Sequence, residues 1–269
     1  LQKKYTNRCI LVDNFGGYMN PIKDGFVDFR KQRFKSLKNI IIERCDTSNY
    51  KALSSIITKY KPNYIYHTAA LPLAKVSNLT NEEAKISSVD STVNIIDSIN
   101  LLKSKIKNYK FDRFIYFSSS MIYGDFKKSM VTEKSEKNPK DAYGIMKLAG
   151  EIVTEGLCKL HKIPYTIIRP SAVYGPKDMN RRVSQIFIEN AFKNEKIYIQ
   201  GKDEKLDFTY IKDLANGSIL AATKKKGVNE IFNITCGKGQ TRFSYVSYLK
   251  SEFPKLRYVI KKKDKTKPS

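Results

Sequence analysis

Short, nearly unbroken apolar runs alternate with amphipathic stretches through the first two thirds of the chain. The runs are Cys9–Val12, Ile40–Ile42, Tyr64–Tyr66, Phe114–Phe117 and Thr166–Ile168, each too short for a helix. Strands that are apolar at every position, rather than at alternate ones, are covered on both faces. The stretches between them, about 48–60, 82–107 and 141–161, carry a helical period. In the longest, Ile86, Val89, Val93, Ile96, Ile99 and Leu102 recur at spacings of three and four, which predicts one buried stripe. Covered strands separated by helices predict an α/β fold built on a doubly wound parallel sheet.

After Pro176 the alternation loosens. A helix near 181–193, a strand at Ile197–Ile199, a helix near 213–223, a strand at Ile231–Ile234 and a helix from about Phe243 follow. This reads as a main domain over residues 1–176 and a smaller lobe over 177–269, with segments about 207–236 returning to the main domain.

The first candidate chemistry is Tyr143 and Lys147 in DAYGIMK. The spacing alone selects nothing, because Tyr123/Lys127, Tyr198/Lys202 and Tyr258/Lys262 repeat it. Context distinguishes the Tyr143 copy. It lies on a predicted helix, where i and i+4 share a face, and Ser119 precedes it by 24 residues at the end of an apolar strand. A phenol with pKa near 10 is a weak base at neutral pH, and a cation one turn away favours its ionised form. A hydroxyl, a phenol and an ammonium so ordered can remove a proton while a hydride leaves the same carbon.

Asp13 ends the first predicted strand. In a doubly wound nucleotide-binding sheet, an acid there binds the adenosine ribose about 20 residues beyond the start of a Gly-rich phosphate loop. That loop and the first strand are expected to precede Leu1; Phe15-Gly16-Gly17 follows the acid and is not that loop. Strand 1 would be central, so its absence is expected to leave two interior edges without partners and the pyrophosphate without a helix N-terminus. Residues 1–269 alone are therefore expected to bind dinucleotide poorly.

Composition narrows the picture further. The net charge of +24 comes mostly from Lys scattered over every predicted helix and loop, which describes a solvated surface rather than a nucleic-acid groove. No apolar run approaches the roughly 20 residues that span a bilayer. Cys9, Cys45, Cys158 and Cys236 form no Cys-x-x-Cys pair, so reduced thiols are expected and no metal site. The reading is a cytoplasmic protein without nucleic-acid or membrane partners.

In order along the chain, ILVDN, ERCD, YIYHTAAL, FSSSMIYGD, YGIMK, RPSAVYGP, LDFTYIKDL and NEIFNITCG resemble the extended short-chain dehydrogenase/reductases. They are most similar to the NAD-dependent epimerase/dehydratases acting on nucleotide sugars. The resemblance covers nearly the whole chain and implies a Rossmann-like sheet, its first strand missing, with a smaller C-terminal substrate-binding lobe. It implies NAD as cofactor, held by Asp13 and Asn14 at the adenosine ribose, Asp46 at the adenine, and Ala69 and Ala70 where the backbone approaches the diphosphate. Asp46 also suits a helix N-cap for the segment after Thr47. Tyr143 is implied as general base, Lys147 as its partner and a nicotinamide-ribose ligand, and Ser119 as the hydroxyl sharing the substrate proton. His67 reads as structural, and Ser118 and Ser120 as turn hydroxyls bonding backbone. Ser119 and Ser120 are also implied to touch substrate; Arg181, Arg182 and Lys205 are candidates for its phosphates in place of the family's Arg at Leu206, since guanidinium forks match phosphate oxygens.

The family's dehydratases carry an acidic pair after the catalytic hydroxyl, where this chain has Ser120 and Met121. Met moves no proton. The expected reaction is 4-epimerisation of a UDP-sugar through a transient 4-keto sugar. Alternatives are a reductase or dehydratase of the same family, an inactive fragment, or a basic nucleic-acid-binding protein. Departures from the family pattern are Leu206 for an Arg, Ala172 for an Asn and Ser88 for an Asn. By analogy with the family, a homodimer is expected through the long helix and the Tyr-bearing helix.

Overall fold

The computed structural model describes residues 8–16, 39–71, 79–126, 130–176, 178 and 182–261. Its strands are β1 (Cys9–Asp13), β2 (Ile40–Arg44), β3 (Tyr64–His67), β4 (Arg113–Phe117), β5 (Tyr165–Pro170), β6 (Ala172–Tyr174), β7 (Ile197–Gln200), β8 (Lys205–Tyr210), β9 (Glu230–Ile234), β10 (Gly239–Thr241) and β11 (Tyr258–Lys261). The helices are α1 (Tyr50–Tyr60), α2 (Asn81–Lys85), α3 (Ser91–Lys105), α4 (Ala142–Leu160), α5 (Val183–Phe192), α6 (Ile211–Thr223) and α7 (Arg242–Glu252).

Two compact units divide the chain. The first comprises Leu1–Arg169 and Asn216–Asn233, and the second Pro170–Ala215 and Ile234–Ser269. The division falls at Arg169/Pro170 rather than after Pro176, because β6 pairs with β8 of the second unit. The returning segment is correspondingly shorter than the expected 207–236.

The first unit is built on parallel strands. β1 pairs with β2, with Asp13 opposite Arg44, and a second sheet runs β3-β4-β5-β9. Among the described residues, β1 and β3 each have a strand partner on one side only. Phe114, Ile115, Tyr116, Ile167 and Ile168 are fully buried, as strands with helices over both faces require. Phe114 and Tyr116 join Leu53, Ile57, Ile95, Ile96, Ile99, Leu102 and Cys158 in one core. The second unit has its own core, centred on Phe187, Ile197, Ile199, Val246 and Leu249. Cys45 and Cys158 are buried, Cys9 is half-buried and Cys236 is exposed, all as free thiols.

The long helix departs from the expected single stripe. A capping box, with Thr80 accepting from Glu83 N–H and Glu83 accepting from Thr80 N–H, starts α2. The turn Ile86–Asp90 is π-helical, and α3 follows it. The wider turn rotates the buried face. Val89 and Val93 are only half-buried, and Ser88, Ser91 and Thr92 are buried in their place. Thr92 and Ser98 return their hydroxyls to the carbonyls of Ser88 and Asn94 at 2.7 Å, which satisfies them within the helix.

Glycine sets how closely α4 approaches the sheet. A Cβ on Gly150 would lie 2.1 Å from Tyr116 Oη and 2.7 Å from Ser88 O. On Gly156 it would meet nothing within 4 Å. The two substitutions should therefore have opposite signs. Gly150→Ala is expected to lose about 3 kcal/mol by overpacking, and Gly156→Ala to gain about 1 kcal/mol from helix propensity. Urea unfolding monitored by circular dichroism reads both. A neutral Gly150→Ala would show that α4 can lift off Tyr116.

Candidate functional site

β4 is an apolar strand that runs into a serine cluster, and the cluster turns at once into a short 3₁₀ segment, Ser120–Tyr123. Ser119 caps that segment, its Oγ accepting from Met121 N–H at 3.2 Å. The hydroxyl's own proton is left to be donated elsewhere. Ser118 donates its N–H to Ile168 O at 2.8 Å, but its buried Oγ has no hydrogen-bond partner. This corrects the expectation that the Ser118 hydroxyl bonds the turn backbone. Ser120 opens the 3₁₀ turn and is half-buried.

α4 brings the phenol and the ammonium to the same place. Asp141 caps it, accepting from Gly144 N–H at 2.7 Å. A Cβ on Gly144 would sit 2.8 Å from Met121 O, so the first turn of α4 rests on the turn that Ser119 begins. Tyr143 is half-buried and Lys147, one turn on, is buried. Lys147 Nζ donates to Phe117 O at 2.8 Å and lies 5.3 Å and 5.8 Å from the ring centres of Tyr116 and Tyr143. Ser119, Tyr143 and Lys147 thus converge on the end of β4. Among the described residues the Tyr198/Lys202 copy, whose tyrosine lies in a strand, does not offer this geometry. Tyr123 closes the 3₁₀ turn, Tyr198 lies in β7 and Tyr258 in β11, while Lys127 and Lys262 fall outside the described residues.

Burial sets the electrostatics. It pulls Lys147 down from 10.5 to about 8, against the opposing pull of the Glu151 carboxylate. It also pulls His67 down to about 3, helped by the nearby Lys147 charge. His67 Nε2 is 3.1 Å from Ser91 Oγ, and the ring stacks on Phe114 at 6.1 Å. A neutral, packed imidazole at the end of β3 is a wall of the site rather than its proton carrier.

A second group of residues gathers where β1 and β2 end. Asp13 closes β1 and its Oδ1 accepts from Phe15 N–H at 2.8 Å. Asn14 donates through Nδ2 to Asp46 Oδ2 at 2.8 Å. Asp46 Oδ1 accepts from Ser48 N–H at 2.9 Å and Ser48 Oγ at 2.7 Å, which holds its carboxyl below the usual range. Asp46 is not the helix cap considered from sequence. Asn49 caps α1, accepting from Ala52 N–H at 3.1 Å, because it alone stands three residues before that donor. Ala69 and Ala70 follow β3 and are half-buried. The carboxyl ends of parallel strands are where open α/β sheets receive ligands, and acceptor-only carboxylates suit ribose hydroxyls and an exocyclic amine. Asp13, Asn14 and Asp46 therefore suit the adenosine end of a dinucleotide.

In the second unit Arg182 caps α5 by position, and its Nη1 reaches Val173 O at 3.4 Å. Arg181 lies outside the described residues. Asp207 holds a turn, accepting from Cys236 N–H at 2.9 Å and Gly237 N–H at 2.8 Å. Two residues that bear on the site were not singled out from sequence, Glu151 and Arg169. Their signal was available: each is a full charge inside an apolar segment, LAGEIV and TIIRP, and such charges are buried as pairs.

Residues 26–235 match the family model described as NAD dependent epimerase/dehydratase family. The dTDP-D-glucose 4,6-dehydratase of Dictyostelium discoideum is 27% identical over 246 residues, which cover 87% of this chain and 54% of that protein. The UDP-glucuronate 4-epimerase of Thermodesulfobacterium geofontis is 28% identical over 211 residues, covering 78% and 62%. The chain spans less than two thirds of the length of either relative. Among solved structures, UDP-glucuronic acid 4-epimerase from Bacillus cereus, in complex with UDP-glucuronic acid and NAD, superposes with a TM-score of 0.82 at 24% identity, over 95% of this chain and 78% of that one.

Proposed function

The chain belongs to the NAD dependent epimerase/dehydratase family, and we propose that it is a nucleotide-sugar 4-epimerase acting on a UDP-sugar. The observation that carries this reading is the anchoring of Lys147 to Phe117 O, one turn from Tyr143 and beside the Ser119 turn. Tyr143 takes the proton of the sugar C4 hydroxyl, and Ser119 shares that proton through its free hydroxyl hydrogen. Lys147, fixed by burial and its carbonyl bond, places a positive charge that favours the phenolate. Bound NAD supplies the hydride acceptor at C4 and the donor for the hydride's return. Asp13, Asn14, Asp46, Ala69, Ala70, Tyr143 and Lys147 are the residues that would hold it, and Ser120 would contact the substrate. The carboxylate of Asp13 disfavours a 2′-phosphate, hence NAD over its phosphorylated form.

Epimerisation rather than elimination is supported by Ser120 and Met121, which place no acid or base after Ser119. The dehydratase of Dictyostelium discoideum among the relatives makes elimination the second reading. Incubation with UDP-glucose and UDP-glucuronate at saturating NAD, followed by proton NMR at the sugar C4, separates them. Inversion at C4 with no net change at 340 nm (roughly the reduced-nicotinamide maximum) is expected. A 6-deoxy-4-keto product, or steady consumption of reduced cofactor, overturns the epimerase reading.

Asp13→Ala is expected to weaken NAD about tenfold by removing the ribose acceptor. Calorimetric titration measures this, and an unchanged affinity in the variant would contradict it.

A cytoplasmic homodimer completes the reading. Ile145 and Ile152, 48% and 66% exposed on α4, give that helix an apolar outer face. No helix among the described residues is long and apolar enough to cross a membrane. Light scattering with Ile152→Lys tests the dimer: conversion to monomer is expected.

A further inference from the structure

A buried polar network lies beside the proton-handling residues and takes no part in the chemistry described above. Arg169, in β5, is fully buried, and its guanidinium forks onto Glu151, Nε to Oε1 at 2.8 Å and Nη2 to Oε2 at 2.7 Å. Its Nη1 donates to Tyr123 Oη at 2.7 Å and to Glu133 O at 3.0 Å. Tyr123 Oη donates onward to Asn233 Oδ1 at 2.7 Å, and Asn233 N–H returns to the Glu133 carboxylate at 2.7 Å.

Stability alone does not account for such a cluster. A buried ion pair loses so much hydration that an apolar pair of the same volume is often as stable or more so. What the network does have is a particular pair of attachment points. Glu151 stands on α4 one turn beyond Lys147 and two beyond Tyr143. Tyr123 closes the 3₁₀ turn that Ser119 caps. Arg169 therefore ties together the two backbone pieces whose spacing sets whether Ser119 and Tyr143 reach one substrate carbon, and displacements of about 1 Å in such an arrangement cost roughly 10²-fold in rate.

The charge of Glu151 has a second consequence. Lys147 is faced by His67 from β3, Tyr116 from β4, and Tyr143 and Glu151 from its own helix. Burial keeps His67 neutral and raises Tyr116 well above the ordinary phenol, while Glu151, ion-paired to Arg169, pulls against the burial of Lys147.

We propose that Glu151, clamped by Arg169, is a positioning residue of the proton-handling site: it fixes the Tyr143 helix against the Ser119 turn and holds a negative charge one turn beyond Lys147. The inference rests on the Tyr143–Lys147 chemistry proposed above, and its test separates the two. Protein labelled with 13C at lysine Cε is titrated without substrate, the Lys147 signal being assigned through Lys147→Arg. In the unaltered protein Lys147 is expected to titrate at about 8. Glu151→Gln is expected to move it down by about one unit. The apolar pair Glu151→Met/Arg169→Met, which removes both buried charges and so remains folded, is expected to move it the same way. Both are expected to lower kcat at least tenfold with KM little changed, and to shift the alkaline limb of the kcat–pH profile to lower pH. A folded variant pair in which Lys147 titrates as before overturns the inference. If Lys147 moves but no protein, the unaltered one included, turns over a nucleotide sugar, the charge placement stands and the function proposed above falls.

Discussion

Tyr143→Phe is expected to lower kcat by roughly 10³-fold while leaving KM for the nucleotide sugar within about threefold. The change removes one oxygen and leaves the ring 5.8 Å from Lys147 Nζ, so packing and cofactor placement are retained. What goes is the group that accepts the C4 proton in the transition state. An interaction made only in the transition state lowers kcat and kcat/KM together, and that signature distinguishes a base from a residue that merely binds. Initial rates by coupled assay or by NMR at the sugar C4 measure it. A loss under tenfold would move the base elsewhere, with Ser119 the next group to replace.

Lys147→Met carries the second large effect and has two readouts of opposite sign. Turnover is expected to fall by about 10²–10³-fold, since the phenol loses the cation that favours its ionised form. Unaltered protein should lose activity as pH rises through about 8, where Lys147 gives up its proton. The variant should lack that limb. Stability should move the other way. The folded pKa, about 8, lies below the ordinary 10.5, so the unfolded chain binds this proton more tightly. The resulting penalty is fully present below pH 8 and is relieved as pH rises from about 8 towards 10.5. Met imposes no such penalty, and a gain of about 1–2 kcal/mol at pH 7 is expected after the lost bond to Phe117 O is counted. That gain should shrink as pH rises from about 8 and be gone before pH 10.5, where only the lost bond to Phe117 O remains. Urea midpoints at pH 7 and pH 10 read it. Lower stability for Lys147→Met at pH 7 would mean that the bond to Phe117 O outweighs the buried charge.

The two effects share one origin. Lys147 is 4% exposed at a point where burial is unfavourable for a cation, and a single carbonyl and two aromatic faces replace its water. A residue that lowers stability in its working protonation state is tolerated where it serves a reaction. The neutral His67 beside it carries no such penalty at neutral pH, because it charges only far below its ordinary pKa.

Strands β1 to β5, β7 and β9 were legible in the sequence alone, whereas β6, β8, β10 and β11 were not. Apolar runs of three or four residues could be buried only as covered strands, and three- and four-residue spacings could be satisfied only as helices. Tyr143 and Lys147 were legible for the same reason, since an i, i+4 pair on a helix has one outcome. Asp13 at the end of β1 was equally legible, because a strand of known length must end somewhere and the acid stood there. Other features were set by contacts between segments distant in sequence. The π turn at Ile86–Asp90 moved the buried face from Val89 and Val93 to Ser88, Ser91 and Thr92, and no local spacing encodes that choice. Asp46 became a partner of Asn14 and Ser48, 32 and two residues away, instead of a cap. The unit boundary fell at Arg169 because β6 found its partner in β8. Above all, Glu151 and Arg169 were visible only as two charges out of place in apolar segments until tertiary structure put them 2.7 Å apart. Periodicity reports which face of an element is buried; which charges meet there is decided by folding, because a buried charge is stable only opposite its partner.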